Sequence, residues 1–321
     1  MALDADQIVD RRHLRRKVTF WRVAAIVLAL VALFAGLSAT TGLLDQRTAH
    51  VARVTLPSVI TDSREHIRLL RRVADSSAAR AVIIAIDSPG GTTAGSEAIH
   101  EEIRKVAEEK PVAAQMGTVA TSGGYAAAIG ADYVVARRNT ITGSIGVLVQ
   151  WADVTELMDS LGVDMQSVKS DPLKAAPSPF EPTTAEAREV IGELVADSYD
   201  WFIDLVAERR GLDRATVREV ADGRIMTGRQ AAGRDLVDAV GGEDEIRDWL
   251  ADTHDIDRDL PVRDWQTSGT LGSGVVSGSA AWLARVVGLD GLARAIERNW
   301  ALSGAGLDGL VSVWHPQPLE E

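Results

Sequence analysis

Residues 81–91 read AVIIAIDSPGG, and residues 111–124 read PVAAQMGTVATSGG. Each is an apolar run of strand length that ends in a paired-glycine turn. Each is followed by residues spaced for a helix: Ile99, Ile103 and Val106 recur at helical intervals over 94–108, and YAAAIGA (125–131) begins a small-residue helix. A run that is apolar at successive positions is buried on both faces, as in a parallel sheet covered on both sides. Strand, glycine turn and helix, repeated in that order, predict an α/β domain of strand–helix units.

The pattern continues outward from this centre. VARVTLPSVIT (51–61) is an extended segment, and Ile67, Leu70 and Val73 mark a helix after it. Short strands are expected at DYVVA (132–136) and near GVLV (146–149), and a helix at 153–162. SDPLKAAPSPFEP (170–182) carries four prolines and must be an irregular loop. A long helix is expected over 184–210, with Ile191, Leu194, Val195, Trp201, Phe202, Leu205 and Val206 as its apolar set. Shorter helices at 213–221, 227–233 and 243–252 complete the body. Residues 267–280, TSGTLGSGVVSGSA, have the composition of a linker. Beyond them Trp282, Val286, Leu289, Ala293, Ile296 and Trp300 share a helical stripe, which suits docking against protein or an interfacial membrane contact.

Composition sets the limits on chemistry. With 46% hydrophobic and 25% charged residues over 321 positions the chain is globular in character. The formal net charge of -12 excludes a general nucleic-acid binder. That charge is unevenly distributed. Arg11, Arg12, Arg15, Arg16, Lys17 and Arg22 precede an uncharged run of 22 residues, VAAIVLALVALFAGLSATTGLL (23–44). At about 1.5 Å per residue this run spans a hydrocarbon core of about 30 Å. The positive-inside rule then expects residues 1–22 in the cytoplasm, 23–44 as a single-pass signal anchor in a cytoplasmic membrane, and the rest on the far side. A cleaved signal peptide is the rival reading of the same run. The exported body would carry a net charge of −15.

There is no cysteine, so thiol nucleophiles, disulfides, cysteine zinc sites and iron–sulfur clusters are excluded. His13, His50, His66, His100, His254 and His315 are scattered without metal-ligand spacing, so no metal or cofactor is expected. His100, near the first glycine turn, reads as a surface helix residue. Covalent chemistry is therefore left to serine, threonine, lysine or a carboxylate. Ser122 in TSGG is presented at a helix N-terminus, where it can serve as a nucleophile or as a simple N-cap. A base for it could come from the proline-rich loop. Lys174 sits among Leu173, Ala175, Ala176 and Pro177, company that could desolvate it into a neutral amine, and Lys169 lies five residues earlier.

The ordered motifs AIDSPGG, TSGGYAAAIGAD, TGSIGV, PLKAAPSPF, DGRIMTGRQA and LVDAVGG, downstream of the apolar run, resemble the signal peptide peptidase A (protease IV) family of Ser–Lys peptidases. The resemblance covers roughly residues 50–250 and corresponds to the family's short, single-unit form. It implies a ClpP/crotonase-like fold of ββα units, which takes residues 45–265 and leaves 266–321 as the linker and amphipathic tail read from composition. It further implies Ser122 as nucleophile, Lys174 as general base and Ser144 as the residue that orients the lysine. Gly91 and Gly123 would supply the oxyanion hole. The implied substrates are extended peptides, residual signal peptides above all, and the implied assembly is a membrane-tethered homo-oligomer of about eight subunits sharing dyads between neighbours. Asp171 stands where the family usually has glycine, and the tail has no counterpart. A peptidase-like scaffold without activity and a crotonase-type acyl-CoA enzyme are the alternatives from other classes.

Overall fold

The structure is a computed structural model and describes residues 20–21, 48–267 and 311–313. The expected anchor (23–44) and the apolar stripe from Trp282 to Trp300 lie outside the described residues. Among those described, no helix is long and apolar enough to cross a membrane. The described residues from His50 onward belong to one compact unit.

The two runs that open the sequence are the central strands. β1 (His50–Thr55), β2 (Val59–Ile60), α1 (Arg64–Asp75), β3 (Ala79–Ser88) and β4 (Gly90–Thr92) come first, then α2 (Thr93–Glu109), β5 (Val112–Thr121) and α3 (Gly123–Ala128). β6 (Tyr133–Ala136), β7 (Ile141–Gly143), α4 (Thr155–Ser160), α5 (Ala185–Arg210) and α6 (Arg214–Val220) follow. The last described are β8 (Ile225–Thr227), α7 (Gly228–Ala232), β9 (Ala239–Val240), α8 (Glu243–His254), β10 (Val262–Trp265) and β11 (Val311–Val313). The strand expected at 146–149 lies instead at 141–143; the other expected elements fall within a few residues of their places.

Eight strands form the main sheet, in the order β10-β1-β3-β5-β6-β9, with β7 beside β5 and β8 beside β7. Every pair is parallel except β7–β8. Alternate residues of each strand enter different cores. Val82, Ile84, Ile86, Val112, Ala114 and Met116 face the helices α1, α2, α3 and α5. Ala81, Ile83, Ala113 and Val135 face Ile246 and Leu250 of α8 on the opposite side. This two-sided burial is why AVIIAI shows no polar alternation.

The long helix is bounded by its own chemistry. Thr184 accepts the Ala187 N–H at 3.1 Å, and Gly211 at φ +64° ends the helix in the left-handed conformation. Its buried side is made by Ala187, Phe202, Ile203 and Val206, whereas Leu194, expected in the apolar set, is exposed.

Candidate active site

The two glycine turns are packed against each other. Ser88 ends β3 and turns the chain: its hydroxyl donates to the Ser58 carbonyl at 2.7 Å and accepts the Gly90 N–H at 3.1 Å. Thr121, the last residue of β5, donates to the Pro89 carbonyl at 3.0 Å. Glycine is required by space at two points here. A Cβ on Gly124 would lie 2.8 Å from the Ser88 carbonyl oxygen, and one on Gly91 would lie 1.7 Å from that of Ile60. Ser88 and Gly124 can approach this closely only because Gly124 has no side chain, and β2 can lie beside β4 only because Gly91 has none.

Ser122 sits between β5 and α3 at φ 54° and ψ −120°, a conformation costly for a residue with a Cβ. It is 2% exposed, and its side chain makes no capping bond to α3, so the N-cap reading does not hold. Its N–H donates to the Gly143 carbonyl at 2.8 Å, and its carbonyl accepts the Ala126 N–H at 2.9 Å.

Ser144 stands next to it in the sheet. β5 and β7 pair in parallel with Thr121 opposite Gly143, so both serines are the first residues past paired strand ends. Ser144 is also at positive φ, +50°. Its N–H donates to the Arg224 carbonyl at 2.7 Å. That gives DGRIMTGRQA a structural role, since β8 and the capping box of Thr227 and Gln230 on α7 hold this carbonyl in place. Beside Ser144 a shallow apolar cleft of about 420 Å³ is lined by Ile145, Val147, Val195, Ala196, Tyr199 and Ala221.

The two lysines differ. Lys169 is committed to Glu181 in an ion pair, which holds that carboxyl below its usual range. Lys174 is exposed on a turn where its N–H donates to the Asp171 carbonyl at 3.0 Å. Among the described residues no hydrogen bond or ion pair joins its side chain to Ser122 or Ser144. The desolvated lysine expected from its neighbours is therefore not formed within one chain. Ala175, the next residue, is at φ +63°, so three of the five positive-φ non-glycine residues among those described are Ser122, Ser144 and this neighbour of Lys174. The whole lysine-bearing stretch is thinly packed. Between Ile145 and Phe202 only Ala187 is buried, and Leu157, Leu161, Val168, Phe180 and Leu194 are exposed.

Sequence reasoning missed the support behind α3. Four carbonyls at and beyond its end are held by basic side chains from two other helices. His100 Nδ1–H donates to Ala126 at 2.8 Å, Arg104 to Gly130 at 3.1 Å, and Arg209 to Ile129 at 2.8 Å and Ala131 at 3.0 Å. Such donors satisfy the orphan carbonyls at a helix C-terminus, and the two arginines, being cationic, also complement its dipole. His100 is thus buried, not on the surface as expected. Burial holds its pKa below the usual histidine value, and Arg209 and Arg104 add to the effect. Its spacing carried the signal, because His100 lies three residues before the core residue Ile103. Tyr125 completes the support: it is fully buried and donates to the Leu236 carbonyl of LVDAVGG at 2.9 Å.

Among the described residues no group of three or more His, Asp or Glu side chains is placed to hold a metal ion. The arrangement can present a serine hydroxyl at a strained strand–helix turn, with the backbone of a second turn alongside.

Comparison with known proteins gives this geometry a family. Residues 104–257 match the model of peptidase family S49. The chain is 34% identical over 210 residues to a Synechocystis sp. protein named as a protease, covering 65% of this chain and 76% of that protein. It is 33% identical over 189 residues to a protease-named protein of Methanocaldococcus jannaschii, 59% of this chain and 61% of that one. A protein of Enterococcus faecium named as a signal peptide peptidase is 36% identical over 182 residues, 56% of this chain and 53% of that one. The chain belongs to peptidase family S49 and is a serine peptidase.

Proposed function

We propose that the chain is a membrane-anchored endopeptidase with a ClpP/crotonase-like fold that cleaves extended peptides, residual signal peptides among them. Ser122 Oγ attacks the scissile carbonyl and its proton passes to Lys174 Nζ. The N–H groups of Gly91 and Gly123 receive the developing oxyanion, and Ser144 orients the lysine. Collapse of the tetrahedral adduct expels the amine, which takes the proton from Lys174. Water, deprotonated by the same lysine, then releases the acyl group and restores Ser122. The apolar cleft beside Ser144 suits small aliphatic side chains.

The observation that carries this reading is the strained, buried Ser122 beside Ser144 on the packed pair of glycine turns. The exposed Lys174, on a stretch with one buried residue and many exposed apolar ones, supports completion of each dyad by a neighbouring copy in a homo-oligomer. Residues 1–22 then lie in the cytoplasm, 23–44 cross the membrane, and the body from residue 45 faces the far side.

The experiment is labelling of the full chain by a fluorophosphonate, read by mass spectrometry together with peptide cleavage. The label falls on Ser122, and Ser122→Ala loses label and cleavage while its oligomeric state is unchanged. Lys174→Ala loses cleavage, and mixing it with Ser122→Ala subunits restores part of the activity if dyads are shared. Undiminished cleavage by Ser122→Ala would overturn the assignment.

A further inference from the structure

The long helix α5 forms one wall of the cleft beside Ser144. Gly192, Val195, Ala196 and Tyr199 recur at helical spacing and line it from that side. The facing walls are Ile145, Gly146 and Val147, directly after Ser144, and Ala221, Asp222 and Gly223, in the loop that leads into β8. A polar bond crosses from the helix to this loop: the Tyr199 hydroxyl donates to the Ala221 carbonyl. Ala221 is buried, so little water is at hand to replace that donor.

The loop is short and braced from within. The Arg224 N–H donates to Asp222 Oδ1 at 3.1 Å, and the Arg224 guanidinium grips the same carboxylate through Nε at 2.8 Å. Gly223 makes the bend between them at φ +83°. The bonds from Arg224 hold the Asp222 carboxyl down to about 2, so the brace stays charged over the neutral and alkaline range. The Arg224 carbonyl accepts the Ser144 N–H at 2.7 Å. The next residue, Ile225, pairs with Gly143, whose carbonyl accepts the Ser122 N–H at 2.8 Å. A continuous line of contacts therefore runs from the Tyr199 hydroxyl through the loop and the 143–144 turn to Ser122.

We propose that Tyr199 is a positioning residue of the peptidase, its hydroxyl fixing the 221–224 loop so that the loop in turn fixes Ser144 and Ser122. This rests on the roles proposed for those two serines. A loop braced by Asp222 and Arg224 has little slack in which to absorb a shift at Ala221 before it reaches the Arg224 carbonyl. Tyr199 thus has two separable duties. Its ring lines the cleft and contributes to peptide binding, while its hydroxyl acts on the catalytic turns. Removing the hydroxyl alone lowers kcat and leaves KM in place. Misplacing reacting groups by about 1 Å costs about a hundredfold, and a loop that loses one anchor but keeps its brace moves less, for a loss of about tenfold.

The test measures kcat and KM for an alanine-rich fluorogenic peptide, fluorophosphonate labelling of Ser122 and Tm in the full chain and its variants. Tyr199→Phe keeps the ring and loses the hydroxyl. It is expected to lower kcat and the labelling rate about tenfold, to keep KM within about twofold and to lower Tm by about 3 °C. Tyr199→Leu, which removes the ring as well, is expected to raise KM in addition. Asp222→Asn loosens the brace within the loop and is expected to lower kcat in the same way. Because both residues act on one loop, the loss in the double variant is expected to fall well short of the product of the single losses. Parental kcat and labelling in Tyr199→Phe, with only Tm lowered, make the hydroxyl a structural bond and overturn the proposal. A raised KM with parental kcat makes Tyr199 a cleft wall alone and overturns it too. Losses that multiply in the double variant also overturn it, because the two residues then act separately. No label on Ser122 in the parent chain overturns the peptidase assignment of that serine, whatever the Tyr199 variants do.

Discussion

Ser122 and Ser144 emerge side by side from two parallel strands, both at positive φ, +54° and +50°, and the N–H of Ser122 donates to the carbonyl of Gly143, the residue before Ser144. The two hydroxyl-bearing turns are therefore linked through one hydrogen bond of 2.8 Å. Gly143, at φ +81°, has the Arg224 carbonyl oxygen 3.0 Å from where a Cβ would be, so a side chain there would disturb both turns.

The conformation of Ser122 should be measurable as strain. Ser122→Gly removes the Cβ at a positive φ, while Ser122→Ala retains it. The glycine variant is expected to be the more stable by about 1 kcal/mol, a Tm difference of about 2 °C or more. Thermal melts of the two variants provide the comparison, and a lower Tm for Ser122→Gly would contradict the strain.

Gly124 is where the two turns touch. Gly124→Ala places a methyl group 2.8 Å from the Ser88 carbonyl oxygen. Backbone cannot yield there without moving the start of α3, so a loss of about 1–3 kcal/mol is expected. Peptide cleavage should fall about a hundredfold, because a misplacement of about 1 Å suffices for that. Wild-type kcat/KM with a lowered Tm would show that the turns need not stay packed.

His100 makes stability depend on acid. Its folded pKa is lowered by burial, so the unfolded chain binds its proton first as pH falls. The stabilisation from neutral His100 is complete above the ordinary histidine pKa of about 6.5 and declines below it toward the folded value. His66, also lowered by burial, acts in the same direction. His100→Gln is expected to flatten part of the fall in Tm between pH 8 and pH 5. The groups facing His100 are Arg104, Arg209 and Glu208. An unchanged slope in His100→Gln would assign the acid sensitivity elsewhere.

Arg209 bridges the long helix α5 to the end of α3. Arg209→Met keeps the apolar stem but leaves the Ile129 and Ala131 carbonyls without this donor, and each orphaned group costs about 1–3 kcal/mol. Denaturant unfolding should show a loss of about 2 kcal/mol or more, with Arg209→Lys intermediate. A neutral Arg209→Met would mean that solvent satisfies both carbonyls.

Much of this architecture is legible in the amino-acid sequence. AVIIAI and PVAAQMGTVA announce β3 and β5 because burial on both faces leaves a continuous apolar signature. The helix at 185–210 is legible because Thr184 and Gly211 bound it. GVLV misleads because its apolar run resembles a strand, whereas pairing with β5 stops at Gly143, before the positive φ of Ser144, and GVLV keeps only a single bridge at Leu148. Local sequence places Ser122 on its turn, but its φ and its bond to Gly143 depend on β7. Lys174 is the hardest to read: its apolar neighbours suggest a desolvated amine, yet in one chain they gather no core around it. The pairing of β11 with β4 leaves no trace in the sequence, since three residues carry no periodicity and their partner lies far upstream.

The thin packing between Ile145 and Phe202 has a consequence for how the molecule fails. Ser122 is buried at the end of the central strand β5 and bonded to Gly143 of β7. Lys174 rides on a stretch with almost no buried side chains, which can open locally at far lower cost. With Lys174 as the general base proposed above, heating should silence the enzyme well below the temperature at which its sheet is lost, and cooling should revive it. Its working range is bounded by the least anchored part of the chain, while its melting curve reports the most anchored.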